Sequence, residues 1–172
     1  DDIELSDDEI IEVEALSRRP DIFKLFRESI APSVYGFESV KEGAVLQLFE
    51  GNKSETLSNY RSCIHILIIG EPGLGKSEFA NSIPNIAPKV ITASGANSSH
   101  AGLTVSTNRD ELTGKWTAEA GAIVLADSGL LVIDEFDKLS ADTQKGLNEP
   151  MENQTASISK AGLVQTMSAR TS

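Results

Sequence analysis

Cysteine is nearly absent. The one residue of this type, Cys63, cannot form a disulfide within the 172-residue chain, which suits a reducing compartment. It opens an apolar run and reads as a small buried hydrophobe rather than a reactive thiol. Aromatic residues make up 5% of the chain, so a core must be built mostly from Ile, Leu, Val and Ala. Long apolar stretches are missing too. The longest, at 64–69 and 130–133, have the length of a strand rather than of a bilayer crossing. No basic, apolar leader opens the sequence, which begins with acids. A soluble intracellular protein with no membrane partner is expected. The two histidines, His65 and His100, form no zinc-type spacing with Cys63.

Positive charge is scarce, with a net charge of −11. The deficit is local, however. Eight acids precede Arg18, the first basic residue, and the rest carries −3. A near-neutral domain can hold DNA through a few lysines placed in a channel, so charge neither favours nor excludes that partner.

What is present is an alternation of helical and strand patterns. Ser6-Asp7-Asp8-Glu9 is a capping box that starts a helix running to about Ser17, before Pro20. Further helices are predicted over 21–29 and 39–49, followed by a polar loop over 51–62. The run 64–69 is apolar and β-branched, which predicts a buried parallel strand holding His65. A short helix from Lys76 should be held to two turns by Pro84. Strands are predicted at 90–93 and 130–133. A hairpin within 105–125 should turn at Thr113-Gly114, with Trp116 packing locally. A helix is predicted over 140–149, capped by Ser140. Two strands should then meet at a tight turn, Lys160-Ala161-Gly162, within 156–167. Buried strands alternating with helices imply an α/β fold with a mainly parallel sheet.

Gly70-Glu71-Pro72-Gly73-Leu74-Gly75-Lys76-Ser77 fulfils G-x-x-x-x-G-K-[ST]. The glycines let successive N–H groups curl toward phosphates. Lys76 can reach the β- and γ-phosphates of ATP, and the Ser77 hydroxyl can ligate Mg²⁺. The following helix turns its positive end to the anion. Further along, 130–133 leads into Asp134-Glu135, which places two carboxylates at the carboxyl edge of a sheet. There Asp134 would hold Mg²⁺ through water, while Glu135 would orient and deprotonate the attacking water.

Beyond the P-loop, Tyr35-Gly36, Ala122-Ile123-Val124-Leu125-Ala126-Asp127, Ile133-Asp134-Glu135-Phe136-Asp137-Lys138, Met151-Glu152-Asn153-Gln154-Thr155 and Ser157-Ile158-Ser159-Lys160-Ala161-Gly162 resemble the minichromosome maintenance (MCM) replicative helicases in content, order and spacing. The resemblance covers about 15–172. It implies an AAA+ P-loop NTPase core bearing a helix-2-insert hairpin (about 103–118) and a pre-sensor-1 hairpin, in a hexameric ring that unwinds DNA with ATP. It divides the chain into acidic N-terminal linker helices over 1–30 and the front of the ATPase domain over 31–172. By the same resemblance Tyr35 and Gly36 lie beside adenine, Lys160 touches the DNA backbone, and Gln154 couples nucleotide state to the later hairpin.

Some positions depart from the family pattern. Gly75 stands where the family usually has Ala, and Pro84 and Pro150 fall inside its helices. These suggest a diverged member of archaeal type, located in the cytoplasm, or in the nucleus if eukaryotic. The resemblance places the sensor asparagine, arginine finger and second sensor beyond Ser172, so the isolated chain is expected to hydrolyse ATP hardly at all. Two other readings of the sequence are a non-catalytic ring subunit and a chelatase- or chaperone-like remodeller of proteins.

Overall fold

The computed structural model describes residues 5–51, 62–110, 114–160 and 162–172. The capping box forms as its sequence demands. The Glu9 amide donates to Ser6 Oγ and the Ser6 amide donates to the Glu9 carboxylate, opening helix α1 (Asp7–Ser17). No residue of α1 is buried. Helices α2 (Ile22–Ser29) and α3 (Glu38–Phe49) pack on each other, and Arg27 reaches both Glu38 (3.1 Å) and Glu42 (2.9 Å). The P-loop leads into α4 (Lys76–Ser82), which tightens into a 3₁₀ turn over Ile83–Asn85 at Pro84. That proline limits the helix to two turns, as expected.

Strand β1 (Val90–Ser94) follows, then the short helix α5 (His100–Leu103), strands β2 (Val105–Arg109) and β3 (Trp116–Ala120), helix α6 (Ala122–Leu125) and strand β4 (Leu130–Asp134). The chain continues through α7 (Ala141–Gly146), α8 (Asn148–Asn153), β5 (Thr155–Lys160) and β6 (Leu163–Ser168). β1 and β4 pair in parallel, from Val90 opposite Leu130 to Ser94 opposite Asp134. Successive β4 side chains point to opposite faces. Leu130 and Val132 join a core with Ile30, Val45, Phe79 and Ile83, to which α3 and α4 contribute. Leu131 and Ile133 join a second core with Leu103, Ile123, Leu139 and Leu147. Burial on both faces explains the unbroken apolar sequence of β4.

Both hairpins form. β2 pairs antiparallel with β3, ending with Arg109 opposite Trp116, and β5 pairs with β6, ending with Lys160 opposite Leu163. The hairpins lie side by side, β2 against β5 and β3 against β6. The turn residues Thr113 and Ala161 lie outside the described residues, as does 52–61 of the expected loop. Gly114 and Gly162, beside those turns, take φ of +69° and +82°, which glycine adopts without strain.

Three expectations change. The segment 64–69 forms no ladder and is buried only in part: Ile68 packs against the first core, while Leu67 and Ile69 are 67% and 85% exposed. A strand needs a neighbour to satisfy its backbone. Among the described residues, Ser172 Oγ accepts from the Ile64 amide (3.3 Å) and the Gln47 side-chain amide donates to the Ile64 carbonyl (2.9 Å), both at the start of the segment. His65 is accordingly half-buried, with a ring nitrogen 3.4 Å from the Met151 carbonyl. The helix predicted over 140–149 is instead split at Leu147 and runs on to Asn153. Pro150 causes the break: it offers no N–H, and its ring crowds the carbonyl four residues back, that of Gly146. Trp116 opens β3 with 40% of its surface exposed, so its packing is partial. Among the described residues no helix is long and apolar enough to cross a membrane.

Candidate active site

The P-loop curls because Gly73 and Gly75 take left-handed φ of +81° and +83°. The Lys76 ammonium folds back across the curl and donates to the Gly70 (2.8 Å) and Glu71 (2.6 Å) carbonyls. Ser77 is exposed in the first turn of α4. Phe79, buried two residues later, fixes that helix on the core shared with β4. A cleft of ≈260 Å³ separates α4 from the sheet, with Asn81 on the helix side and Thr92, Ser94 and Asp134 on the strand side. The structure therefore brings the P-loop helix and the carboxyl end of β4 to the same edge, as the motifs predict.

At that edge Asp134 Oδ1 accepts from the Glu135 amide (2.9 Å). Glu135 takes a left-handed backbone, φ +54° and ψ +44°, which costs a non-glycine residue ~1 kcal/mol or more and turns its side chain off the strand direction. Its carboxylate accepts from Ser94 Oγ at 3.3 Å. Gly95 completes the corner, its amide donating to the Asp134 carbonyl (2.7 Å). A Cβ at Gly95 would lie 2.1 Å from the Glu135 carbonyl oxygen, so only glycine fits. Ser94 and Gly95 went unnoticed in the sequence. Their signal is weak: a small residue and a glycine ending a strand.

Tyr35 is fully exposed, and Gly36 beside it has φ +76°. This segment reaches the P-loop through its neighbours. Val34 lies 3.7 Å from where a Cβ on Gly75 would stand, and Ser33 Oγ donates to Glu78 (3.3 Å) in α4. Lys160 is exposed at the hairpin end of β5. Gln154, in a left-handed turn with φ +58°, stands at the root of that hairpin. Its carbonyl accepts from the Ala169 amide (2.9 Å), and its side-chain amide donates to Cys63 Sγ (3.3 Å). Cys63 is buried, as expected of a small hydrophobe. Gln154 thus touches both the strand leaving the hairpin and the residue that starts the run into the P-loop.

A second anchor was not legible in the sequence. Asp127 accepts from both arms of Arg170 (3.2 and 2.8 Å), from Ser168 Oγ (2.7 Å) and from the Arg170 amide (2.8 Å). The guanidinium, with the Ser168 hydroxyl, holds its carboxyl well below the usual carboxylate range. Forty-three residues separate these partners, and no local pattern announces such a pair.

Residues 9–172 match the family model described as the MCM P-loop domain. The chain belongs to this family. It is 42% identical over 173 residues to DNA replication licensing factor MCM4 of Arabidopsis thaliana, an alignment covering 99% of the chain and 20% of that protein. It is 45% identical over 170 residues to DNA replication licensing factor mcm6 of Schizosaccharomyces pombe, covering 98% and 19%. With mcm4 of the same yeast it shares 43% over 172 residues, covering 98% and 19%. The chain spans about a fifth of the length of these curated relatives. Membership of the MCM P-loop family implies nucleotide binding in general terms.

Among the described residues, no group of three or more His, Cys, Asp or Glu side chains could hold a metal alone. Mg²⁺ does not require one. It takes one or two protein oxygens together with phosphates and water. A serine hydroxyl on α4 and the Asp134 carboxylate at the adjoining strand end are such a donor set, so the MCM site fits the ion.

Proposed function

We propose that this chain is the nucleotide-handling part of an ATP-dependent DNA helicase motor of the MCM type. The observation that carries the reading is that α4, which begins with Lys76 and Ser77, and the end of β4 at Asp134 line one cleft. On ATP binding, Lys76 leaves the Gly70 and Glu71 carbonyls for the β- and γ-phosphates. The N–H groups of Gly70, Glu71, Gly73, Leu74 and Gly75 cradle those phosphates while Pro72 stiffens the turn. Ser77 and, through water, Asp134 would hold Mg²⁺, which neutralises charge on the phosphate oxygens. Glu135, aimed by its backbone and by Ser94, takes the proton of the attacking water. Tyr35 and Gly36 flank the base. Lys160 touches the DNA backbone as a positive charge at a turn, and Gln154 passes nucleotide state to the hairpin.

In the complete protein the motor would act as a hexameric ring around DNA, in the nucleus of a eukaryote or the cytoplasm of an archaeon. Forked-DNA unwinding by the complete protein tests these roles. Lys76→Ala should abolish unwinding together with ATP turnover. Lys160→Ala should lower unwinding about tenfold or more while leaving DNA-independent ATP turnover within a factor of about two. Normal unwinding by either variant contradicts the reading. Turnover without any dependence on DNA would favour a remodeller of proteins.

A further inference from the structure

Lys41 is a buried cation on the core-facing side of α3, with Ala44 and Val45. It is 7% exposed, sits in α3 between residues that face the core, and makes no ion pair among the described residues. Its Nζ instead donates to two backbone carbonyls, those of Ala31 (3.0 Å) and Val34 (2.8 Å). Burying an ammonium is costly unless its donors are satisfied, and a Met or Leu of similar length would fill the same space without that cost. The charge is therefore spent on holding the backbone of 31–34. That backbone needs holding: Ala31, Gly36 and Phe37 all take positive φ (+44°, +76° and +60°), and two of them are not glycine. The loop so fixed touches the nucleotide machinery directly. Val34 abuts Gly75 of the P-loop, and Ser33 bonds Glu78 of α4. It also presents Tyr35 entirely to solvent.

We propose that Lys41 is a positioning residue for the base of the bound nucleotide. By clamping the Ala31 and Val34 carbonyls it sets the height and angle of the Tyr35–Gly36 segment beside the P-loop, without touching phosphate. The proposal rests on the nucleotide-binding reading above, and it assigns base affinity to a residue remote from the ligand.

The test uses the complete protein, with ATP and inorganic tripolyphosphate as competing probes in the presence of Mg²⁺. The second ligand carries the same phosphate chain and no base. Lys41→Met keeps the side-chain volume and removes the charge. It should weaken ATP about tenfold while tripolyphosphate affinity stays within about twofold. Lys41→Arg, which can still donate to both carbonyls, should recover most of the loss. If both ligands weaken together, or neither does, the proposal is overturned. Tyr35→Ala alters a fully exposed side chain and serves even where Lys41→Met does not fold. It should show the same selective loss of ATP, and an unchanged ratio of the two affinities overturns the proposal. Lys76→Ala separates the two levels. If it spares both ligands, the phosphate reading has failed. If it removes both while Lys41→Met is neutral, the positioning role alone has failed.

Discussion

At the scale of single residues, Asp127 is a fastener that the sequence conceals. Its carboxylate ties Arg170 and Ser168, at the exit of the Lys160 hairpin, to the turn that precedes β4. The pair is partly exposed, 23% for Asp127 and 49% for Arg170, so water screens much of its Coulomb energy. Asp127→Asn should still destabilise this chain by about 1–2 kcal/mol at pH 7, because charge-assisted hydrogen bonds are lost. The sign with pH follows from a folded-state pKa below the unfolded value of ~3.9. The contribution is complete above that value and is lost as pH falls through the lower folded one. Urea melts of parent and variant should therefore converge as the pH drops from about 5 toward 2. A gap that stays constant over that range would contradict the assignment. The P-loop, Asp134 and Glu135 were legible because their chemistry is written in adjacent residues. Asp127–Arg170, Ser94–Glu135 and Lys41 were not, since each depends on a contact made only by the fold.

At the scale of elements, periodicity served well where a partner exists. β4 was read from four apolar residues, and its two faces do enter two cores. Residues 64–69 carry the same pattern and yet stand largely exposed. Apolar β-branched sequence records a strand's preference, while the ladder itself needs a neighbour. The consequence is measurable in this chain. Leu67→Ala should change stability by less than about 0.5 kcal/mol, whereas Leu130→Ala, at a 7% exposed position, should cost about 2–4 kcal/mol. Equal losses would mean that 64–69 is covered. The helix after β4 shows the converse case. The sequence places its end just before Pro150, but backbone sterics divide the helix earlier, at Leu147, and the second piece carries Pro150 on to Asn153. The short helices α5 and α6, four residues each, are too brief for a helical period to register.

At the scale of the whole molecule, the nucleotide elements and the hairpins are physically joined. Gln154 links the hairpin root to Cys63, just ahead of the run into the P-loop, and Asp127 links the hairpin exit to the start of the strand that ends in Asp134. The net charge of −11 does not oppose a DNA partner, because eight acids precede Arg18, and α1, which holds five of them, has no buried residue. In the proposed function this site hydrolyses ATP with Glu135 as the base. DNA-stimulated ATP turnover by the complete protein carrying Glu135→Gln tests it most directly. ATP should still bind within about threefold of the parent affinity while turnover falls about 10²–10³-fold. Turnover within a factor of about two of the parent would contradict it.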